Sequence, residues 1–409
     1  LFLSTYFGRD RFQFRSAESG FKANIPWGNA TATLRWNHIF NNKLFANTSL
    51  IYTDYDFSFG AGQEDFRFEL YSGVRDWNAK VDFNYYPSVK HTVKFGFNYV
   101  NHLFTPSTAS ASQNETVFDL GKPYKIYAND FALYALDDWA INDRLTINGG
   151  LRATRFVQYG PFDRYITNSN YEVVDTITYG KGDKVAQYNN LEPRFSLSFL
   201  INKNTSVKAA YTQNYQYVHL ASISSLSLPT DVWVPSSDRV KPQFATQYAV
   251  GFFKNFKKDL YETSVEVYYK DMRNQIEYRD GATPDMDIKN NQDNNFVFGK
   301  GWSYGAEFFV KKKYGKFNGW IGYTLAWTLR NFPDLNQGKD FYARYDRRND
   351  LKVVAIYELN KKWSFGATFV YATGNALTLP QQRYLFGGAI DPNNLNTSQF
   401  NNPQIYYTY

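Results

Sequence analysis

A membrane-spanning, antiparallel up-and-down β-barrel is the fold class this sequence predicts, and three observations predict it. Strand-like alternation of apolar and polar residues recurs about fifteen times along the chain. The connections between these segments alternate between short turns and long polar loops. Aromatic residues make up 19% of the 409 residues, with 34 Tyr and 36 Phe, and such side chains suit a pleated surface.

Taken in order, the chain opens on "LFLSTYFGR", which already alternates. "KVDFNYY" sets Val81, Phe83 and Tyr85 against Lys80, Asp82 and Asn84, and "TVKFGFNYV" sets Val93, Phe95, Phe97 and Tyr99 against Lys94, Gly96 and Asn98. "RLTINGGLRAT" and "PRFSLSFLI" repeat the scheme through Leu145, Ile147, Leu151 and Ala153, then Phe195, Leu197, Phe199 and Ile201. In "LYETSVEVYYKD", Tyr261, Thr263, Val265, Val267 and Tyr269 share one face, with Glu262, Ser264, Glu266, Tyr268 and Lys270 on the other. "SYGAEFFVKK" and "KWSFGATFVY" end the series, whereas "FANTSLIYTDY" and "RNDLKVVAIYE" follow it poorly. A period of two places alternate side chains on opposite faces of a strand.

Short turns are expected at 41–43, 87–90, 142–144, 202–204, 256–259, 314–316 and 360–362. Long polar loops are expected at roughly 8–26, 105–126, 159–188, 216–242, 281–298, 331–347 and from 378 onward. Short turns on one side and long loops on the other are the form of an outer-membrane barrel, whose apolar face looks outward into lipid. Trp139, Phe256 and Trp363 flank short turns and suit an interfacial girdle. With lipid outside, Arg152, Arg194, Glu262, Glu266 and Glu307 face the lumen, toward a plug, water or substrate.

Other function classes find little support. The net charge is +7 with acids and bases interspersed, so a mixed solvated surface is preferred to a nucleic-acid patch. No apolar run reaches the roughly 18 residues of a membrane helix, and the negative mean hydropathy is compatible with alternating strands. The chain has no Cys, and its four histidines, His38, His91, His102 and His219, are scattered, so no metal site or cofactor is expected. No phosphate loop or nucleophile elbow lies between a strand and a helix, and no enzymatic activity is expected. "PDMDIKNNQDNN" (284–295) is rich in oxygen ligands but lacks the Gly and terminal Glu of a calcium loop, and reads as solvated. "RYDRRND" (344–350) reads as a strand-end anchor built of ion pairs. The segment 215–242 carries Tyr215, Tyr217 and Trp233 among Ser and Pro. Such aromatics stack on sugars or pack on peptides, or fold onto the loop's own apolar side chains.

Several segments resemble the barrel half of TonB-dependent outer-membrane receptors, most closely the branch with a carboxypeptidase-regulatory-like domain ahead of its plug. "LDDWAINDRLTINGGLR" (136–152) is similar to that family's strand–turn–strand unit, and "LEPRFSLSF" (191–199) to its Glu-Pro-Arg strand start. "VKPQFATQYAVGF" (240–252) has Gln243 where an acid is usual. The strongest likeness is "SYGAEFFVKKKYGKFNGWIGYTLAWTLRNF" (303–332), followed by 342–380, where Asn349 stands in place of a common His. The resemblance implies a 22-strand barrel closed by an N-terminal plug, active import of a scarce nutrient, and an inner-membrane energy complex that pulls the plug through a short box. It implies a Gram-negative outer membrane and contact with its lipid. A surface lipoprotein lid and other outer-membrane subunits are further partner types. Residues 1–409 are then expected to be barrel domain, incomplete at both ends. The rival readings are a structural or docking barrel in a larger complex and, third, a passive porin.

Overall fold

The computed structural model describes residues 1–17, 20–63, 66–113, 116–118, 125–169, 172–221, 232–280, 282, 291–376, 382–386 and 404–408. The chain lays down β1 (Phe2–Arg15), β2 (Lys22–Asn41), β3 (Leu44–Gln63), β4 (Phe66–Ser88) and β5 (His91–Gln113). A short β6 (Thr116–Phe118) precedes β7 (Ile126–Ala140) and β8 (Leu145–Tyr159). The hairpin of β9 (Phe162–Thr167) and β10 (Val173–Tyr179) interrupts the series before β11 (Lys184–Asn202) and β12 (Thr205–Gln216). A second inserted hairpin, β13 (Val218–Ala221) and β14 (Val232–Pro235), precedes β15 (Gln243–Phe256), β16 (Tyr261–Tyr278), β17 (Phe296–Lys312) and β18 (Phe317–Asn331). The two-residue β19 (Phe341–Tyr342), β20 (Asn349–Asn360), β21 (Trp363–Ala372) and the pair β22 (Gln382–Phe386) and β23 (Gln404–Thr408) complete the order.

The long strands pair antiparallel with their chain neighbours from β1 to β21 without a crossover. Among the described residues, β1 and β21 each pair on one side only. Helical structure among the described residues is limited to two single 3₁₀ turns, Gln292–Asn295 and Asn336–Gly338.

All seven short turns lie where the sequence places them, and asparagine builds several. The Asn41 side-chain oxygen accepts from the backbone N–H of Lys43 and Leu44 at 2.8 and 3.1 Å. Asn142 accepts from Arg144 and Leu145, and Asn360 from Lys362 and Trp363, in the same way. A side-chain oxygen that mimics a backbone carbonyl in this manner closes a turn locally. The turn after β15 takes another route, through left-handed Lys257, Lys258 and Asp259 with φ of 50°, 55° and 65°.

Between the turns the apolar faces are exposed. Val265, Val267 and Tyr269 are 42%, 49% and 45% accessible, while Glu266 and Tyr268 between them are half-buried. Register carries this face across the sheet. Val265 lies opposite Phe252 and Phe308, and Val267 opposite Val250 and Ala306. In water such a surface would be unstable; in lipid it is the required arrangement. Toward the long loops the belt ends in a cross-strand aromatic row. Tyr211 and Tyr248 have ring centroids 5.2 Å apart, Tyr248 faces Tyr269, Tyr269 faces Tyr304, and Tyr304 stacks on Trp327 at 5.3 Å. Toward the short turns a second row runs through Trp36, His38, Phe40, Phe83 and Phe95. Trp139, Phe256 and Trp363 are exposed at that same end.

The dry core is displaced from the belt to the long-loop end. Fully buried Phe104 and Phe156 belong to one cluster there, Phe296 to a second and Phe332 to a third. A bulge between Met272 and Gln275 lets β16 continue into this region. Asn274 takes φ 54° at the bulge and donates to the Pro242 carbonyl at 2.8 Å.

Two expectations about the long loops need correction. Residues 8–15, 22–26 and 105–113 are strand, and β3 and β4 are 20 and 23 residues long. These extensions carry the ladder of β1 to β5 on past the belt, with Phe57 and Leu70 turned to the buried face, so the outward apolar period does not reveal them. The connection between Gln63 and Phe66, which pair with each other, was not among the expected loops.

Candidate substrate-binding mouth

Three long loops meet at the core end: β8 to β11, β12 to β15, and β16 to β17. Their meeting point is Asp293, buried at 5% accessibility. Arg164 of the first loop donates to one carboxylate oxygen at 2.7 Å, and Ser237 of the second donates to the other at 2.6 Å. Arg164, itself 4% accessible, also donates to Asp238 at 3.1 Å. Arg239 donates to the Asp293 carbonyl at 3.0 Å. Asn291 adds two backbone bonds to the edge of β9, accepting from Tyr165 N–H at 2.8 Å and donating to Asp163 O at 3.0 Å. Asn294 donates to Tyr165 O at 2.9 Å.

A buried arginine–carboxylate pair holds its place only when its remaining donors and acceptors are satisfied. Here residues from three separate loops supply them, so each loop fixes the other two. Residues 291–295 are therefore packed rather than solvated, and both Asp293 carboxylate oxygens have partners; residues 284–290 lie outside the described residues. The described residues contain no cluster able to hold a metal ion.

The three loop aromatics lie close together but differ in role. Tyr217 is 5% accessible, its ring stacked on Phe156 at 5.1 Å and 2°. Its hydroxyl meets Thr154 Oγ1 at 2.6 Å and accepts from Asn190 at 2.8 Å. Burial pushes its pKa up. Tyr215 sits 4.7 Å from Phe244, and both Tyr215 and Trp233 pack against the first core cluster. Thus the loop folds on its own apolar groups, with Tyr215 and Trp233 left partly accessible. Beside them His219 is fully buried, one ring nitrogen 3.0 Å from Ser236 Oγ and the other without a partner. Desolvation lowers its pKa to about 4.

The five charged residues expected to face the lumen all lie on the face opposite the apolar belt. Arg152 and Glu192 are register partners, and Arg152 covers the Tyr134 ring at 5.9 Å. Arg194 meets Glu192 at 3.6 Å and donates to Asn214 at 3.0 Å. Glu262 pairs with Lys313 at 3.3 Å. Glu266 and Glu307 stand directly opposite each other on neighbouring strands. The segment 344–350 anchors strand ends. Arg344 and Arg330 both bind Glu277, at 2.7 and 2.8 Å, and Arg348 donates to the Ala326 carbonyl at 3.1 Å.

Sequence reasoning passed over Arg164, read Asp293 only as part of a solvated segment, and did not single out Ser237, Asp238 and Arg239 within the aromatic loop. Arg164 and Asp293 are 129 positions apart, and no local spacing signals a contact across loops.

Residues 2–407 match the family model described as TonB dependent receptor-like, beta-barrel. The chain belongs to that family, a family of Gram-negative outer-membrane proteins. Its fold is similar to that of the ferric-catecholate import receptor Fiu from E. coli K12 (15% identity, TM-score 0.55), covering 85% of this chain and 53% of that one. It is also similar to the siderophore receptor PiuA from Acinetobacter baumannii (11% identity, TM-score 0.59; 90% and 61% covered). The copper transporter OprC gives 11% identity and a TM-score of 0.60, with 90% and 58% covered. The chain thus spans between half and two thirds of the length of these receptors. No curated protein matches it in sequence.

Proposed function

We propose that this chain forms most of the wall of an active importer for a scarce nutrient, energised through a plug and the TonB complex. The observation that supports it best is the locked mouth: three loops cross-tied at Asp293 on the long-loop side, where substrate arrives. A passive pore needs an open path, whereas a receptor that binds before it transports needs ordered loops. Tyr215 and Trp233 are the partly accessible aromatics beside this lock and serve as substrate contacts. Arg152, Arg194, Glu262, Glu266 and Glu307 serve as the polar lining against plug or substrate.

The test is uptake by cells carrying the full-length receptor, over a panel of ferric siderophores, cobalamin, glycans and peptides. Accumulation that stops when the proton-motive force is collapsed supports import. Steady conductance of the purified protein in a planar bilayer, without an energy source, overturns it in favour of a porin. A stoichiometric partner with no energised uptake of any panel member overturns it in favour of a docking role.

A further inference from the structure

The net charge of the chain sits at one end. The seven short turns hold nine Lys or Arg and two Asp, a balance of +7 that equals the net charge of all 409 residues. Strands and long loops together are therefore neutral. All nine cations are exposed. The lysines that form ion pairs among the described residues are Lys80, Lys94, Lys313 and Lys352, and none of these lies in the turns. An outer-membrane barrel turns this end toward the periplasm.

The basic rim is densest where the turns after β15 and β17 meet. Tyr314 of the second donates to the Lys258 carbonyl of the first at 2.9 Å. Lys257, Lys258 and Lys316 stand in the turns, and register places Lys254 and Lys312 beside them on the outward face. The acid within these turns, Asp259, already accepts from Asn255 at 2.8 Å. Three ammonium groups lie over aromatic rings: Lys254 is 4.9 Å from Phe256, Lys257 5.8 Å from Tyr261 and Lys312 5.8 Å from Phe317. Rings at the end of an apolar belt mark the membrane interface, so these lysines stand at the level of lipid phosphates.

Backbone geometry adds an independent observation. Lys257, Lys258 and Asp259 are left-handed, with φ of 50°, 55° and 65°, a region that Gly and Asn enter at less cost. Four of the other turns are closed by an Asn side chain. Here two lysines occupy positions where Gly or Asn would build the turn more easily, so charge is kept against backbone preference.

Reach decides what such a rim can hold. Turns of three or four residues emerge no further than the headgroup layer, and a polymer or protein of the periplasm would have to press against the bilayer to touch them. An anionic phospholipid is already at that depth, with its phosphate among the ammonium groups and its chains along exposed Phe256 and Phe317. Five cations in one patch suit a headgroup with two phosphates.

We propose that the joined turns after β15 and β17 bind an anionic phospholipid of the periplasmic leaflet, and diphosphatidylglycerol in preference to a single-phosphate lipid. This rests on the short turns facing the periplasm and is independent of the import reading.

The test places the purified full-length receptor in phosphatidylcholine nanodiscs doped with diphosphatidylglycerol or phosphatidylglycerol at equal charge. Native mass spectrometry then counts the lipid retained. The wild type retains diphosphatidylglycerol over phosphatidylglycerol. Lys257→Gly combined with Lys258→Asn lowers that retention about fivefold for each lysine removed. Its melting temperature stays level or rises, because both new residues suit the left-handed turn. Lys361→Gln combined with Lys362→Gln removes the same charge from a separate turn and leaves retention unchanged. Equal retention by the wild type and the first variant overturns the site, and equal loss in both variants overturns its placement at the joined turns. Equal retention of the two lipids by the wild type overturns the two-phosphate assignment. Binding of soluble peptidoglycan fragments that the first variant loses, with lipid retention unchanged, overturns the lipid reading in favour of the cell wall.

Discussion

The belt and the mouth are stabilised in opposite ways. In the belt, one pattern repeats from strand to strand, so Val265 differs little from Val250 or Val310 in what surrounds it: lipid on one side and ladder on the other. In the mouth no contact repeats. Asp293 has one Arg164, one Ser237 and one Arg239, drawn from loops far apart in sequence. A repeated surface tolerates any side chain of the right polarity, whereas a convergent one depends on particular atoms.

The largest effect is expected where that dependence is sharpest. Arg164→Met leaves Asp293 buried without its cation, at a cost of about 3–5 kcal/mol. Faster hydrogen exchange should appear in both 162–167 and 291–295, and unchanged exchange in the second segment would show that the loops are not mutually held. In the belt, Val265→Arg should cost about 2–4 kcal/mol near the bilayer midplane, read from urea titration of lipid-refolded protein, while Val265→Leu should be nearly silent. A variant with arginine that refolds like wild type would reverse the inside-out assignment. Tyr217→Phe removes a hydroxyl shared by Thr154 and Asn190, costing about 1–2 kcal/mol, visible as faster proteolysis within 217–235.

Acid provides a further probe of the mouth. Because burial lowers the pKa of His219 from 6.5 to about 4, protons favour the opened hairpin. Its contribution is fully present above pH 6.5 and is lost as pH falls from there toward 4. Protection factors in β13 and β14, corrected for the pH dependence of intrinsic exchange, should fall between pH 7 and 5, and His219→Phe should flatten that fall. The smallest effect belongs to Glu266→Gln. The residue faces inward and is half-exposed, so insertion yield in a refolding assay should match wild type.

The contrast also explains what the sequence discloses. In β16, β17 and β21 the outward face is legible because lipid imposes a polarity on every second residue. Turns such as Asn41–Leu44 are legible because the Asn side chain builds them from within. In the strand extension Phe57–Gln63, Phe57, Phe59 and Ala61 alternate on the face opposite Leu50 and Tyr52, so the outward pattern stops where the strand does not. Tyr215, Tyr217 and Trp233 signal an aromatic loop, but their sequence does not say that Tyr217 alone is anchored on Phe156. Arg164 and Asp293 carry no local mark at all, since a tie between loops is written in three dimensions only.

The height of the apolar belt has a consequence for the membrane itself. On β16, Tyr269 in the upper row and Tyr261, opposite exposed Phe256 at the turn end, are eight residues apart. That is about 26 Å of strand, or about 20 Å of height at a tilt of roughly 40°. A bilayer with a hydrocarbon core of about 30 Å must thin around such a wall, at a cost that grows with each ångström of mismatch. The protein is therefore gauged to a thin membrane, and in a thick one its neighbours would be the shortest chains available.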